Sequence, residues 1–245
     1  FRSDFQFTRP TVSFDKDGQR ELAWPSTDFC APNAQVLVEH PEFAKVHVLI
    51  GTEPSRRWQS FTTEVMEMVE DREIDAVIFL GAMLADVPHT RPISVSSTSQ
   101  NEQVRTQLAV ERSHYEGPVG ILSVLGMALE KAGIPTLSLW ASVPHYVHNT
   151  ASPKATLSLL IELEKLLGVQ FEHGTLAEEA FTWERSIDEI AESDEEMAGY
   201  ISQLEKTRDE VESQAATGDA LAMEFEKFLR QSGDGEAKSE DGTSK

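Results

Sequence analysis

The chain has 245 residues, 40% of them apolar, which suffices for one sizeable core with an appendage or for two modest domains. Acidic side chains outnumber basic ones 42 to 21, and the formal charge of −21 opposes sequence-independent binding to nucleic acid or to an anionic membrane. One cysteine, Cys30, excludes an internal disulfide, and no apolar run approaches the roughly 18 residues that span a bilayer, so a reducing, cytoplasmic setting is expected.

Phe1 to Phe29 is rich in aromatic residues, with a short strand expected at Thr11–Phe14 and a turn at Lys16-Asp17-Gly18. Gln35–Glu39 and Lys45–Gly51 carry the β-branched residues of strands. A helix is predicted from about Arg57 to Arg72, because Trp58, Phe61, Thr62, Val65, Met68 and Val69 share one face. Asp75–Gly81 reads as a buried central strand, a short apolar run closed by glycine. The loop 82–92 then gathers an acid, a histidine, an arginine and two prolines before strand character resumes at Ile93–Thr98, and a short helix is expected over Val104–Ser113.

The best-punctuated stretch is Tyr115 to Gly168. Pro118 suits a first helical turn, apolar residues at 121, 122, 125, 128 and 129 repeat at helical spacing, and Gly133 supplies a stop. Pro135 opens a strand, Thr136–Val143, that is apolar or small nearly throughout, as in a strand covered on both faces. After a loop with His145, Tyr146 and His148, Ser152 can cap a helix that Pro153 begins, with Leu159, Leu160, Leu163, Leu166 and Leu167 as its stripe and Gly168 as its end. Alternating strands and helices from 45 to 167 predict an α/β protein whose mostly parallel sheet is covered on both faces, a three-layer α/β/α sandwich.

Beyond Glu172 strand-like runs cease, and residues 176 to 245 hold 20 acidic against 7 basic side chains. Thr175-x-x-Glu178 and Ser193-x-x-Glu196 read as capping boxes. Behind them Leu176, Ala180, Trp183, Ile187 and Ile190, then Met197, Ile201, Leu204 and Val211, form a narrow seam suited to helix-on-helix packing. A third helix is expected over Asp219–Arg230. The predicted organisation is a core over 1–172, an acidic helical region over 173–231 and a disordered tail over 232–245.

Tyr115-x-Gly-Pro-x-Gly120, Gly133-Ile-Pro135 with its strand, Val143-Pro-His-Tyr146, Pro153-Lys-Ala155 and the helix through Leu167-Gly168 together resemble the proteasome assembly chaperone family, in its second-subunit branch. Gly81 and the Asp86-x-Pro-His-Thr-Arg-Pro92 loop are similar to the bacterial members in particular, and the likeness covers roughly residues 30 to 170. The resemblance implies a sandwich like that of phosphorylases and peptidyl hydrolases, an added helical region, a tendency to oligomerise, and no reaction. In the best-understood members the resemblance implies docking on the proteasome partly through a C-terminal hydrophobic-tyrosine-any tripeptide, from which this sequence departs with Gly242-Thr243-Ser244-Lys245.

Open α/β sheets bind ligands beyond the carboxyl ends of their strands, so the 82–92 and 144–150 loops are expected on one edge, gathering Asp86, His89, Arg91, His145, Tyr146 and His148. An acid and a histidine there could move a proton, and Arg91 could hold a carboxylate or phosphate. The plainer reading is that these side chains satisfy the loops' own backbone. His145-x-x-His148 has no second Cys/His cluster to complete a tetrahedral metal site, and Ser123 lacks the G-x-S-x-G spacing of a nucleophile elbow. No catalytic residue, metal or cofactor is therefore assigned. The function expected is a non-enzymatic interaction or assembly protein that partners itself or a related subunit, as a homo-oligomer, without nucleic acid or membrane. The alternative is a small-molecule binder, or a hydrolase- or phosphorylase-like enzyme, using the 82–92 and 144–150 loops.

Overall fold

The structure is a computed structural model that describes residues 11–14, 16, 19–23, 27–31 and 41–233. The strand expected at Gln35–Glu39, the aromatic Phe1, Phe5 and Phe7, the turn residues Asp17 and Gly18, and the tail beyond Gly233 lie outside the described residues. The protein is a mixed α/β fold with a mostly parallel central sheet and C-terminal helices. Its chain forms two compact units, one of Phe1–Gly81 with Ser97–Leu139, the other of Ala82–Ser96 with Trp140–Lys245.

In the first unit, β1 (Thr11–Phe14) pairs antiparallel with β2 (Arg20–Ala23), and β3 (Thr27–Cys30) pairs antiparallel with β4 (Val48–Gly51). The strand expected from Lys45 starts only at Val48, because Pro41–Lys45 winds into a 3₁₀ turn. Helix α1 (Trp58–Asp71) buries Phe61, Val65 and Val69, four residues apart on one stripe. These meet Phe79 and the matching stripe Ile121, Leu125 and Leu129 of α3 (Ile121–Lys131) to make the unit's core. Pro118 lies outside that helix: Gly120 caps it, and the Glu53 carboxylate accepts the Ile121 N–H at 2.7 Å, which fills its N-terminal donor site from within the chain. Gly133, at φ 84°, ends the helix, as expected. Helix α2 (Glu102–Leu108), capped by Asn101, stops short of the expected Ser113 because Ala109 turns left-handed and Glu111 bridges to Thr98.

The sheet of β5 (Val77–Ala85), β6 (Val95–Thr98) and β7 (Thr136–Pro144) has the order β5-β7-β6. The middle place belongs to β7, whose residues are buried or half-buried throughout. Among the described residues β5 stands at the side of this sheet rather than at its centre as expected, only its Phe79 is buried, and Leu80, Met83 and Leu84 are exposed. It also runs four residues past Gly81, and β6 starts at Val95 rather than Ile93, so the loop between them is 86–94.

In the second unit, Ile93, Ala141 and Val143 pack with Ala155 of α4 (Pro153–Leu167), supported by Val95, Val147 and Leu159. Ser152 caps α4 by accepting the Ala155 N–H at 3.2 Å, and Gly168 closes it at φ 66°. Helix α5 (Leu176–Glu192) packs along α4 and buries Ala180, Trp183, Ile187 and Ala191. The fourth buried position is 191, not the expected 190, because a straight helix at 3.6 residues per turn drifts off a strict heptad seam. Helix α6 (Glu195–Gly233) is continuous, so the separate helix expected at 219–230 is merged into it and it reaches two residues into the expected tail. Neither capping box forms. Thr175 hydrogen-bonds Glu179 rather than a backbone N–H, and Asp194, not Ser193, accepts from the N–H groups of Glu196 and Met197. Among the described residues no helix is long and apolar enough to cross a membrane.

Candidate functional site

All six candidate residues belong to the second unit. Asp86, His89 and Arg91 stand on the loop after β5, while His145 and Tyr146 stand on the 3₁₀ turn His145–Val147 after β7. The structure joins four of the six, His89, Tyr146, His145 and Asp86, by direct contacts, while Arg91 turns to carboxylates of α6 and His148 turns its Nδ1 to the His145 carbonyl at 2.9 Å.

His89 is fully buried. Its backbone N–H donates to the Tyr146 hydroxyl oxygen at 2.8 Å, Nδ1 lies 2.9 Å from the same oxygen, and Nε2 lies 3.0 Å from Asp188 Oδ1 on α5. With the Tyr146 O–H donating to Nδ1 and Nε2–H donating to Asp188, every polar atom of the ring is satisfied by the tautomer protonated on Nε2. Trp183 stands edge-on to the same ring, with centroids 6.5 Å apart. The His89 carbonyl accepts from Lys154 Nζ at 2.5 Å, and Lys154 also pairs with Glu184, one turn before Asp188 on α5. Burial pushes the Tyr146 hydroxyl up to about 12, despite the opposing bond from the His89 N–H.

The next two loop residues are held by α6. Thr90 donates to Glu205 Oε1 at 2.5 Å. Arg91 forks onto Asp209, Nε to Oδ1 at 2.8 Å and the second bond to Oδ2 at 2.9 Å, while its other terminal nitrogen reaches Glu205 at 3.2 Å. The Asp209 bond, and then the charge of both carboxylates, raises the guanidinium above its already high range; in turn Arg91 lowers the Asp209 carboxyl, first through the hydrogen bond. Asp86 accepts the Tyr200 O–H at 3.3 Å and pairs with His145 Nδ1 at 3.2 Å, both on Oδ1.

The partners that sequence reasoning missed are Glu184, Asp188, Glu205 and Asp209, with Lys154, Trp183 and Tyr200. A signal existed. Glu184-x-x-x-Asp188 and Glu205-x-x-x-Asp209 each place two carboxylates on one helix face, beside the apolar seam. In so acidic a region such spacing looks like ordinary solvated surface, and only the fold brings the donors of residues 89–91 and 154 against it. Chemically the arrangement fastens a loop. The imidazole and guanidinium that could serve a substrate are bonded to the protein's own carboxylates, and no group of three or more His, Cys, Asp or Glu among the described residues is arranged to hold a metal ion.

An α/β core whose strand-end loop is tied down by appended acidic helices defines a protein class by architecture rather than by a reaction. The chain belongs to the PAC2 family, whose model matches residues 2–191. Among solved structures it is similar to a PAC2 family protein from Streptomyces avermitilis, at 35% identity over 81% of this chain and 83% of that one, with a TM-score of 0.67. It is 37% identical to a proteasome-assembly chaperone homologue of Mycobacterium tuberculosis, over 79% of this chain and 80% of that one, with a TM-score of 0.64. A second Mycobacterium tuberculosis protein, described as of unknown function, matches at 25% identity over 86% and 70%, with a TM-score of 0.72. No curated protein matches the sequence.

Proposed function

We propose that this protein is a non-enzymatic, assembly-chaperone-like interaction protein that works in the cytoplasm as a homo-oligomer and takes a protein partner. The observation that carries this reading is the state of the candidate site: His89 and Arg91, the residues best fitted to acid–base work or anion binding, are bonded to Asp188, Asp209 and Glu205 of the same chain. An anion at Arg91 would have to displace a two-pronged carboxylate already in place, against the field of further acidic groups. Membership of a family that includes a proteasome-assembly chaperone homologue supports the same conclusion. Under this reading the 86–94 loop is an internal fastening, and the helices after residue 173 are both its anchor and the surface a partner meets.

The test is affinity capture of partners with the full chain from native cytoplasm, run beside a thermal-stability screen of phosphate- and carboxylate-bearing metabolites. The expected outcome is a protein recovered in fixed ratio and no metabolite that raises the melting temperature. Stabilisation by a small anion that disappears in Arg91→Ala, with no protein captured, would overturn the reading in favour of a ligand site.

A further inference from the structure

Adjoining the loop fastening, and sharing Tyr146 with it, is a second group of side chains. His145, Tyr146 and Tyr200 contact one another pairwise, with ring centroids 5.8 Å apart for His145 and Tyr146, 5.6 Å for His145 and Tyr200, and 6.2 Å for Tyr146 and Tyr200. The three interplanar angles are 81°, 80° and 89°. Three planes at right angles with nearly equal centre separations are three walls of a corner, not a stack. Asp86 stands at its edge. Its side chain is 81% exposed, and that of His145 is 45% exposed. Both bonds to Asp86, from Tyr200 and His145, end on Oδ1, which leaves Oδ2 open to solvent.

The electrostatics of the corner have one sign. Aromatic faces present the negative part of the ring quadrupole, and a carboxylate adds a full charge. After burial, Tyr200 and then the charges of Glu205 and Asp188 raise the Tyr146 hydroxyl, and the charge of Asp86 raises that of Tyr200. On a chain of net charge −21 an anion is repelled here. An uncharged apolar group would gain from the rings but would cover the open Oδ2 without a hydrogen bond.

We infer that Asp86, His145, Tyr146 and Tyr200 form a recognition corner for an arginine side chain of the protein partner, its guanidinium laid on a ring face and donating to Asp86 Oδ2. The inference rests on the assembly reading, to which it adds the chemistry of the contact. Arginine suits the corner better than lysine because a planar, weakly hydrated guanidinium stacks on a ring while its edge still donates to a carboxylate.

The test titrates the full chain at pH 8 with acetyl-Gly-Arg-Gly-amide and with its Gln counterpart, following the His145 ring resonances by NMR. The expected result is a saturable shift with the Arg peptide alone. Asp86→Asn keeps the shape and removes the charge, and should weaken binding about tenfold, a change equivalent to about 1.4 kcal/mol. Tyr200→Leu should do the same, whereas Tyr200→Phe, which keeps the ring, should stay within about threefold. Equal responses to the Arg and Gln peptides, or full affinity in Asp86→Asn with its melting temperature unchanged, would overturn the inference. Partner capture undiminished by Asp86→Asn would overturn the corner and leave the assembly reading intact. Selective binding of the Arg peptide with no protein captured would support the corner's chemistry and remove the assembly reading.

Discussion

His89 shows why a loop that looks catalytic need not be so. Fully buried, it spends both ring nitrogens on Tyr146 and Asp188, and its backbone N–H on Tyr146 as well. Truncation in His89→Ala would leave the half-buried Tyr146 O–H without its acceptor, although the backbone N–H of residue 89 would still donate to its oxygen, whereas the better exposed Asp188 would regain water. A loss of about 1–3 kcal/mol is expected, the cost of a buried polar group left without its partner, read as a lowered urea midpoint at unchanged slope. Tyr146 offers a check at high pH. Its folded hydroxyl titrates at about 12 against 10 for the unperturbed group. Because the folded value is the higher, the contribution is complete below about pH 10 and is lost as pH rises towards 12. Tyrosinate absorbance should show late titration that loses one hydroxyl in Tyr146→Phe and keeps that of Tyr200, which is raised as well.

At the scale of elements, the packing of α5 separates core from surface within one predicted stripe. Ile187 is buried, so Ile187→Ala should cost about 2–5 kcal/mol, whereas Ile190, three residues on and 58% exposed, should tolerate alanine within about 0.5 kcal/mol. Chemical denaturation of the two variants side by side checks the pair. Helix α6 is held differently: of its residues Glu195–Ser213, only Ile201 is buried, and the contacts with residues 90 and 91 are polar. Arg91→Ala should therefore raise the rate of limited proteolysis in α6, and added salt should do so in the parent by screening the pair. Acid should act likewise. Asp209 titrates below its ordinary value in the folded state, so its contribution is present above the usual aspartate range, near pH 4, and is lost as pH falls through the lowered value. The seam was legible in the sequence at 180, 183 and 187, since helical periodicity is a local property. The length of β5 was not, because Gly81 reads as a stop by composition, whereas the strand's hydrogen bonding carries it on to Ala85.

For the molecule as a whole, the order of elements and the α/β class followed from alternation and punctuation, and the glycines at 133 and 168 stand where left-handed caps need them. The partners of the candidate site were out of reach, since each pair joins segments that only the tertiary fold brings together. Self-association is the prediction proper to this scale. Val48 and Ile50 share one exposed face of β4, with Ile50 64% exposed, and their register partners Cys30 and Asp28 lie on that face too. Light scattering at micromolar protein is expected to give an oligomer, favoured by salt that screens the −21 charges, and Ile50→Glu should shift it towards monomer at unchanged melting temperature. A monomer at all salt concentrations would refute this. The fastening of residues 89–91 also fixes when the protein can finish folding. His89 waits for a carboxylate 99 residues downstream and Arg91 for one 118 residues downstream. At roughly 5–20 residues per second, synthesis needs about 6–24 s to supply Asp209 after Arg91 has been made. The loop therefore acquires its order only when α5 and α6 have been made, and until they arrive its imidazole and its one guanidinium lack the carboxylates that hold them.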